Sequence, residues 1–169
     1  ELLSVLLVLL IATVLGFING VIVAKSKTTP LIITLGMMYV YNGIALLISE
    51  GRPHSLGGRF QFLGRAKIGP VPFTIIVYLL VFGLAIFLRR YTTYGRRLNA
   101  IGGNRQAAFL SGIHVDRHVI SVYALSGLIA GLAGLVLASR LGMVRADSGM
   151  GYELQALAAV IIGGITFEG

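Results

Sequence analysis

The chain has 169 residues, of which 56% are hydrophobic and only 12% charged, with a mean hydropathy of +0.90. So few charges exclude an ordinary water-soluble domain, in which about a quarter of residues are charged. Fourteen Lys and Arg against six Asp and Glu give a formal charge of +8. Those charges fall between long apolar runs rather than on one polar face, so anionic lipid head groups and a partner on one membrane side are expected, and nucleic acid is not.

The first run, residues 2–24, is uncharged and as a helix would extend about 35 Å, enough to cross a bilayer. Lys25, Lys27 and Pro30 mark a short turn, Pro30 being suited to open the next helix. Residues 31–49 form a second uncharged run interrupted by Gly36, Asn42 and Gly43, a span with a polar stripe. Residues 50–70 collect glycine, proline and four basic residues and read as an interfacial loop. Residues 71–88 are the third span, ending at Arg89 and Arg90.

Residues 89–117 are the longest polar segment, with a short helix expected over 104–110. Residues 118–139 are a fourth span rich in small residues, and residues 154–169 begin a further span or a re-entrant segment. The expected fold is all-α, a single polytopic transmembrane helical bundle. The chain opens at Glu1 directly in an apolar run and stops at Gly169 among glycines, so both ends read as cut from a longer membrane protein.

Alternating spans put Lys25, Lys27, Arg89, Arg90, Arg96, Arg97, Arg105 and Arg117 on one side, eight basic residues against six on the other (Arg52, Arg59, Arg65, Lys67, Arg140, Arg145). The cluster from Arg89 to Arg97 abuts a span end, which places residues 89–117 in the cytoplasm.

No span carries an ionisable residue at its centre, whereas ion-coupled carriers need such groups at membrane depth. Gly127 and Gly131, Ala130 and Gly134, and Gly16 and Gly20 are each four apart and suit close helix packing. Asn19, Thr34, Tyr39, Tyr41 and Asn42 are neutral hydrogen-bonding groups within spans, suited either to a hydroxylated solute or to interhelical bonds. His114, Asp116 and His118 resemble a metal string, but on a helix the aspartate points away from the histidines, so a helix entrance is the expected reading and no metal site is assigned. There is no Walker phosphate loop and no cysteine. Ser121 and Ser126 lack an evident base, so no catalytic residue is assigned.

Four stretches together resemble the ribose-type monosaccharide permeases of bacterial ABC importers: ITLGMMYVYNGIA from Ile33, YGRRLNAIGGNRQAAFLSGI from Tyr94, LSGLIAGLAGL from Leu125 and GYELQALAAVIIGG from Gly151. The resemblance implies a multi-pass subunit of the bacterial inner membrane that is not itself an enzyme. It implies a second permease subunit, copy or homologue, an ABC ATPase that binds ATP and Mg, and a periplasmic or extracellular sugar-binding protein. By the same resemblance residues 89–117 are a coupling loop, with Gly103, Asn104, Arg105, Ala107, Ala108 and Gly112 at the ATPase contact. Asn19, Thr34, Asn42 and Gln155 are candidates for the substrate path, and Gly127, Gly131 and Gly134 for helix packing. The chain departs from the family at Asn42, where arginine is frequent, at Gln155, where aspartate is, and at Phe167 and Glu168, where small residues are usual. The alternative reading is an ion-coupled carrier for a neutral solute.

Overall fold

A computed structural model describes residues 2–26, 28–57, 64 and 66–164. The expectations that touch Lys27, Arg59, Arg65, Phe167, Glu168 and the last five residues lie outside the described residues.

Among the described residues four helices are long and apolar enough to cross a membrane: α1 (Leu2–Lys25), α2 (Pro30–Ser49), α3 (Phe73–Tyr91) and α6 (Val115–Leu141). Between α3 and α6 lie two short helices, α4 (Thr93–Gly103) and α5 (Arg105–Leu110), and α7 (Tyr152–Ile162) closes the described chain. In hydrocarbon an unpaired peptide group costs several kcal/mol, so uncharged runs of this length have little choice but to close their bonds internally as helices. Span hydroxyls turn back on the backbone in the same way, Thr13 donating to the Leu9 carbonyl at 2.7 Å and Thr34 to Leu31 at 3.1 Å.

The helix ends follow local chemistry. Pro30 opens α2 behind Thr29. The α2 end turns through Glu50 and Gly51, both at positive φ, and the Glu50 amide donates to the Leu46 carbonyl. Gly142 ends α6 in the left-handed conformation, its amide donating to Ala138 at 2.9 Å. Helix α3 begins at Phe73 because Val71–Pro72 (β3) pairs instead with Lys67–Ile68 (β2). Helix α6 begins three residues before the apolar run: Asp116 in its first turn suits the positive helix N-terminus, and Arg117 and His118 lie at its polar end.

The largest interface joins α1 to α6, running antiparallel. A Cβ added at Gly16 would stand 3.0 Å from Gly127 Cα, and one at Gly127 would stand 2.9 Å from Gly16 Cα, so the two backbones touch where neither residue has a side chain. Gly20 meets Ile120 and Tyr123 in the same seam, and Gly131 meets the Ala12 methyl. By the level of Gly134 the seam has opened. No atom lies within 4 Å of where its Cβ would be, and Gly134 instead lines an apolar cavity of about 550 Å³ between α6 and α3, with Thr74, Val77 and Tyr78. The small-residue spacing takes in Gly127, Gly131 and Gly134, but only the first two meet α1, Gly127 at its backbone and Gly131 at the Ala12 methyl.

The connections gather at two ends. At one, His54–Ser55 (β1) pairs antiparallel with Met143–Val144 (β4), and the Leu56 amide donates to Gly142 at 3.0 Å. Nearby Ser139, 1% exposed, accepts the Gly64 amide at 2.7 Å. At the other end lie the α1–α2 turn and the α4–α5 pair. Elsewhere the spans present large apolar side chains outward, Leu47 and Leu80 among them, as a surface facing lipid tails or further helices requires.

Candidate functional site

The α4–α5 unit is more ordered than its charge content predicts. Where one short helix was expected over 104–110, residues 93–103 form a second. Thr92 caps α4 by accepting the Gly95 amide at 3.2 Å, and Asn104 caps α5 by accepting the Ala107 amide at 2.9 Å. Gly95 is buried, and a Cβ there would run into the Leu88 and Arg89 carbonyls, so no side chain fits. That contact makes the α3–α4 elbow a backbone-on-backbone junction. Gly112, at φ +80, turns the chain after α5 into α6.

Three groups tie this unit to α6. Ser121 Oγ donates to the His118 carbonyl at 2.8 Å and lies 2.7 Å from the Tyr94 hydroxyl, and since Ser121 has one proton, Tyr94 donates to it. The Tyr94 ring also stacks on His118, centroids 5.7 Å apart and planes 21° from parallel. Arg105 and Asp116 form an ion pair of 3.3 Å with both side chains more than half exposed. Ala108 and Val115, 4% and 5% exposed, are buried within the unit.

The predicted coupling residues thus divide. Gly103, Asn104, Arg105, Ala107 and Gly112 face outward, Gly103 and Gly112 with open space above them, whereas Ala108 points inward and offers nothing to a partner. Sequence reasoning passed over Phe109 and Leu110, 68% and 79% exposed at the end of α5. Two large apolar side chains in an otherwise polar segment were the available signal. Arg96 and Arg97 are exposed on α4.

A second feature lies at membrane depth. A cleft of about 380 Å³ between α1, α2 and α6 is lined by Asn19, Thr34, Tyr41, Tyr123 and Ser126 around the glycines of the seam. Tyr41 donates its hydroxyl to Asn19 Oδ1 at 2.9 Å, with the Leu15 carbonyl at 3.1 Å. The cleft's side chains are neutral hydroxyl and amide groups on an otherwise apolar wall, able to exchange hydrogen bonds with an uncharged polar solute.

Of the four predicted path residues this cleft gathers Asn19 and Thr34 but not Asn42 or Gln155. Asn42 stands nearer the other end, its amide nitrogen 4.0 Å from Met150 Sδ and its carbonyl oxygen buried without a partner among the described residues. Gln155 is exposed on α7. The string His114, Asp116 and His118 separates as a helix dictates: Asp116 turns to Arg105, and His118 donates its Nδ1 proton to the His114 carbonyl at 2.9 Å. Among the described residues no three His, Cys, Asp or Glu side chains group as metal ligands would.

Four bilayer-length helices among the described residues, a neutral cleft between three of them and a capped pair of short helices at one end define a multi-pass membrane protein. The chain belongs to the family described as branched-chain amino acid transport system / permease component, which matches residues 2–169. It is 40% identical over 167 residues to the ribose import permease protein RbsC of Haemophilus influenzae, covering 96% of this chain and 52% of that protein. It is 40% identical over 162 residues to the D-allose transport system permease protein AlsC of Escherichia coli K12, covering 95% and 49%. To the L-arabinose transport system permease protein AraH of the same strain it is 38% identical over 156 residues, covering 90% and 47%. The chain therefore spans about half the length of the curated relatives it matches. No solved structure matches it.

Proposed function

We propose that this chain is part of the permease subunit of an ABC importer that carries a neutral monosaccharide across the bacterial inner membrane. The family description names amino acids, while the relatives above are named for ribose, allose and arabinose. The observation that favours a sugar is the cleft, whose Asn19, Thr34, Tyr41 and Ser126 offer hydroxyl and amide groups and no charge with which to hold an amino acid's ammonium or carboxylate.

In this reading the α4–α5 unit faces the cytoplasm and docks into an ABC ATPase, which binds the ATP and Mg. Phe109, Leu110 and Ala107 supply the apolar contact and Arg96, Arg97 and Arg105 its charged rim. A second permease subunit completes the path, and a soluble sugar-binding protein delivers the solute at the β1–β4 end. Rigid-body movement of the ATPases on closing around ATP would then rock the attached helices between inward- and outward-open states.

The test is co-purification of the full-length protein with ABC ATPases in mild detergent, alongside uptake of radiolabelled D-ribose, D-allose and L-arabinose into vesicles. Phe109→Asp, at an exposed position, is the probe, since the left-handed backbone at Gly112 resists any side chain. The expected result is ATPase association lost in Phe109→Asp with membrane insertion unchanged, and uptake that requires ATP. Uptake that instead collapses with the ion gradient would overturn the reading in favour of a secondary carrier.

A further inference from the structure

We propose that Tyr94 is the positioning residue that carries movement of the α4–α5 unit into α6, through its bond to Ser121 and its stack on His118. The proposal rests on the permease reading above, and it names the place where force would pass from the surface helices to the spans.

Besides the chain link through residues 111–114, with Ala108 and Val115 buried beside it, the unit has three attachments, and they differ in kind. Gly95, by close backbone contact, and the Thr92 hydroxyl, which donates to the Leu88 carbonyl and accepts the Gly95 amide, fasten α4 to the end of α3, so these two helices turn together but these contacts do not reach α6. The Arg105–Asp116 pair does reach α6, yet both partners are more than half exposed, and a pair so open to water holds weakly and weakens further with salt. Tyr94 is different. Its hydroxyl and ring contact α6 at two points one turn apart, Ser121 and His118, both part-buried. Ser121 in turn is anchored to the His118 carbonyl, and His118 to the His114 carbonyl, so the ring and hydroxyl press on side chains that cannot swing freely.

The position along α6 gives the contact its reach. Ser121 lies two residues from Tyr123 and five from Ser126 of the cleft, about 7.5 Å along the helix axis. The same helix carries Gly127, the point of closest approach to α1. Below the Tyr94–Ser121 bond a crevice of about 430 Å³, lined by Leu88, Leu125 and Leu128, separates the α3 end from α6, so Tyr94 bridges two helices that are not otherwise packed there. A push on α4 therefore reaches α6 at His118 and Ser121, beside the cleft residues, through Tyr94.

The experiment uses the full-length protein with its ATPase partner in proteoliposomes, measuring uptake of radiolabelled D-ribose, D-allose and L-arabinose together with ATP hydrolysis in the same vesicles. Tyr94→Phe removes the hydroxyl and keeps the stacked ring, and Ser121→Ala removes the acceptor. Each is expected to lower solutes carried per ATP by about fivefold, the equilibrium weight of one net hydrogen bond, while ATPase association and hydrolysis persist. Because both variants break one bond, the double variant should fall no further than either alone, and Ser121→Thr, which keeps the hydroxyl, should retain coupling. Unchanged solutes per ATP in both single variants would overturn the proposal. So would losses that multiply to about 25-fold in the double variant, or a fall in ATPase association that parallels the loss of uptake, which would mark Tyr94 as merely structural. Failure of the permease reading shows separately, in the unmodified protein, as uptake that ignores ATP.

Discussion

The α1–α6 seam makes a sharp demand on Gly127. In Gly127→Ala the new methyl would run into the Ala12 carbonyl oxygen and stand 2.9 Å from Gly16 Cα and 3.1 Å from Gly16 N, where ordinary contacts begin at 3.4 Å. All three obstacles are backbone, so no rotamer relieves them, and the helices must part by about 1 Å. A gap of that size forfeits about half of each dispersion contact, and with on the order of 50 atom pairs at 0.1–0.2 kcal/mol each the loss is roughly 2.5–5 kcal/mol. That lies at or above the usual cost of overpacking. Gly134→Ala is the internal control, because nothing lies within 4 Å of its Cβ position and the gain in helix propensity makes the change neutral or favourable by up to about 1 kcal/mol. Gly16→Ala should resemble Gly127→Ala, and the double variant should cost less than the two together, since the first methyl has already opened the gap the second needs. Thermal unfolding of the full-length protein in detergent, followed by size-exclusion of a fluorescent fusion, reads all four. Equal midpoints for Gly127→Ala and Gly134→Ala would refute the seam as described.

Asn104→Ala removes the α5 cap and should cost about 1 kcal/mol, appearing as faster proteolysis of the 92–114 segment with the spans unaffected. Tyr41→Phe should destabilise the protein by roughly 0.6–1.7 kcal/mol by leaving Asn19 Oδ1 without its donor at membrane depth, measured by the same unfolding assay. Asp116→Asn breaks the ion pair with Arg105 and should change stability by no more than about 1 kcal/mol, an effect that shrinks further in high salt.

Whether a feature was legible in the sequence depended on whether it is set by neighbours along the chain or by partners far from it. The spans could be read because a charge-free run of twenty residues has few ways to satisfy its backbone in lipid. Glycines 127 and 131 could be picked out by spacing, but the same spacing included Gly134, and only the course of α1 separates them. Helix α4 was hidden because Arg96, Arg97 and Asn99 suggested a loop, whereas a capped helix at a membrane surface tolerates them. Ala108 was grouped with the outward residues for its small size, and its burial follows from how α5 folds back toward Val115. Tyr94 stood inside a recognisable stretch, yet its partner Ser121 is 27 residues away, beyond the reach of any local pattern. Asn19 and Thr34 come together in the cleft for a similar reason, and Asn42, on the same helix as Thr34, is carried elsewhere by the helical turn.

The pairing of His54–Ser55 with Met143–Val144 also sets an order on synthesis. The two strands are about 90 residues apart, so in the orientation proposed above the first reaches the far side of the membrane while the ribosome still has roughly 5–20 s of chain to make before its mate. During that interval His54–Ser55 has no strand to pair with, and it can settle only once α6 has been inserted with its C-terminal end across the bilayer. A failure to insert α6 would therefore leave a mark on the opposite end of the chain's history: a loop already delivered to the far side, complete in sequence, still waiting for its strand and open to any protease stationed there.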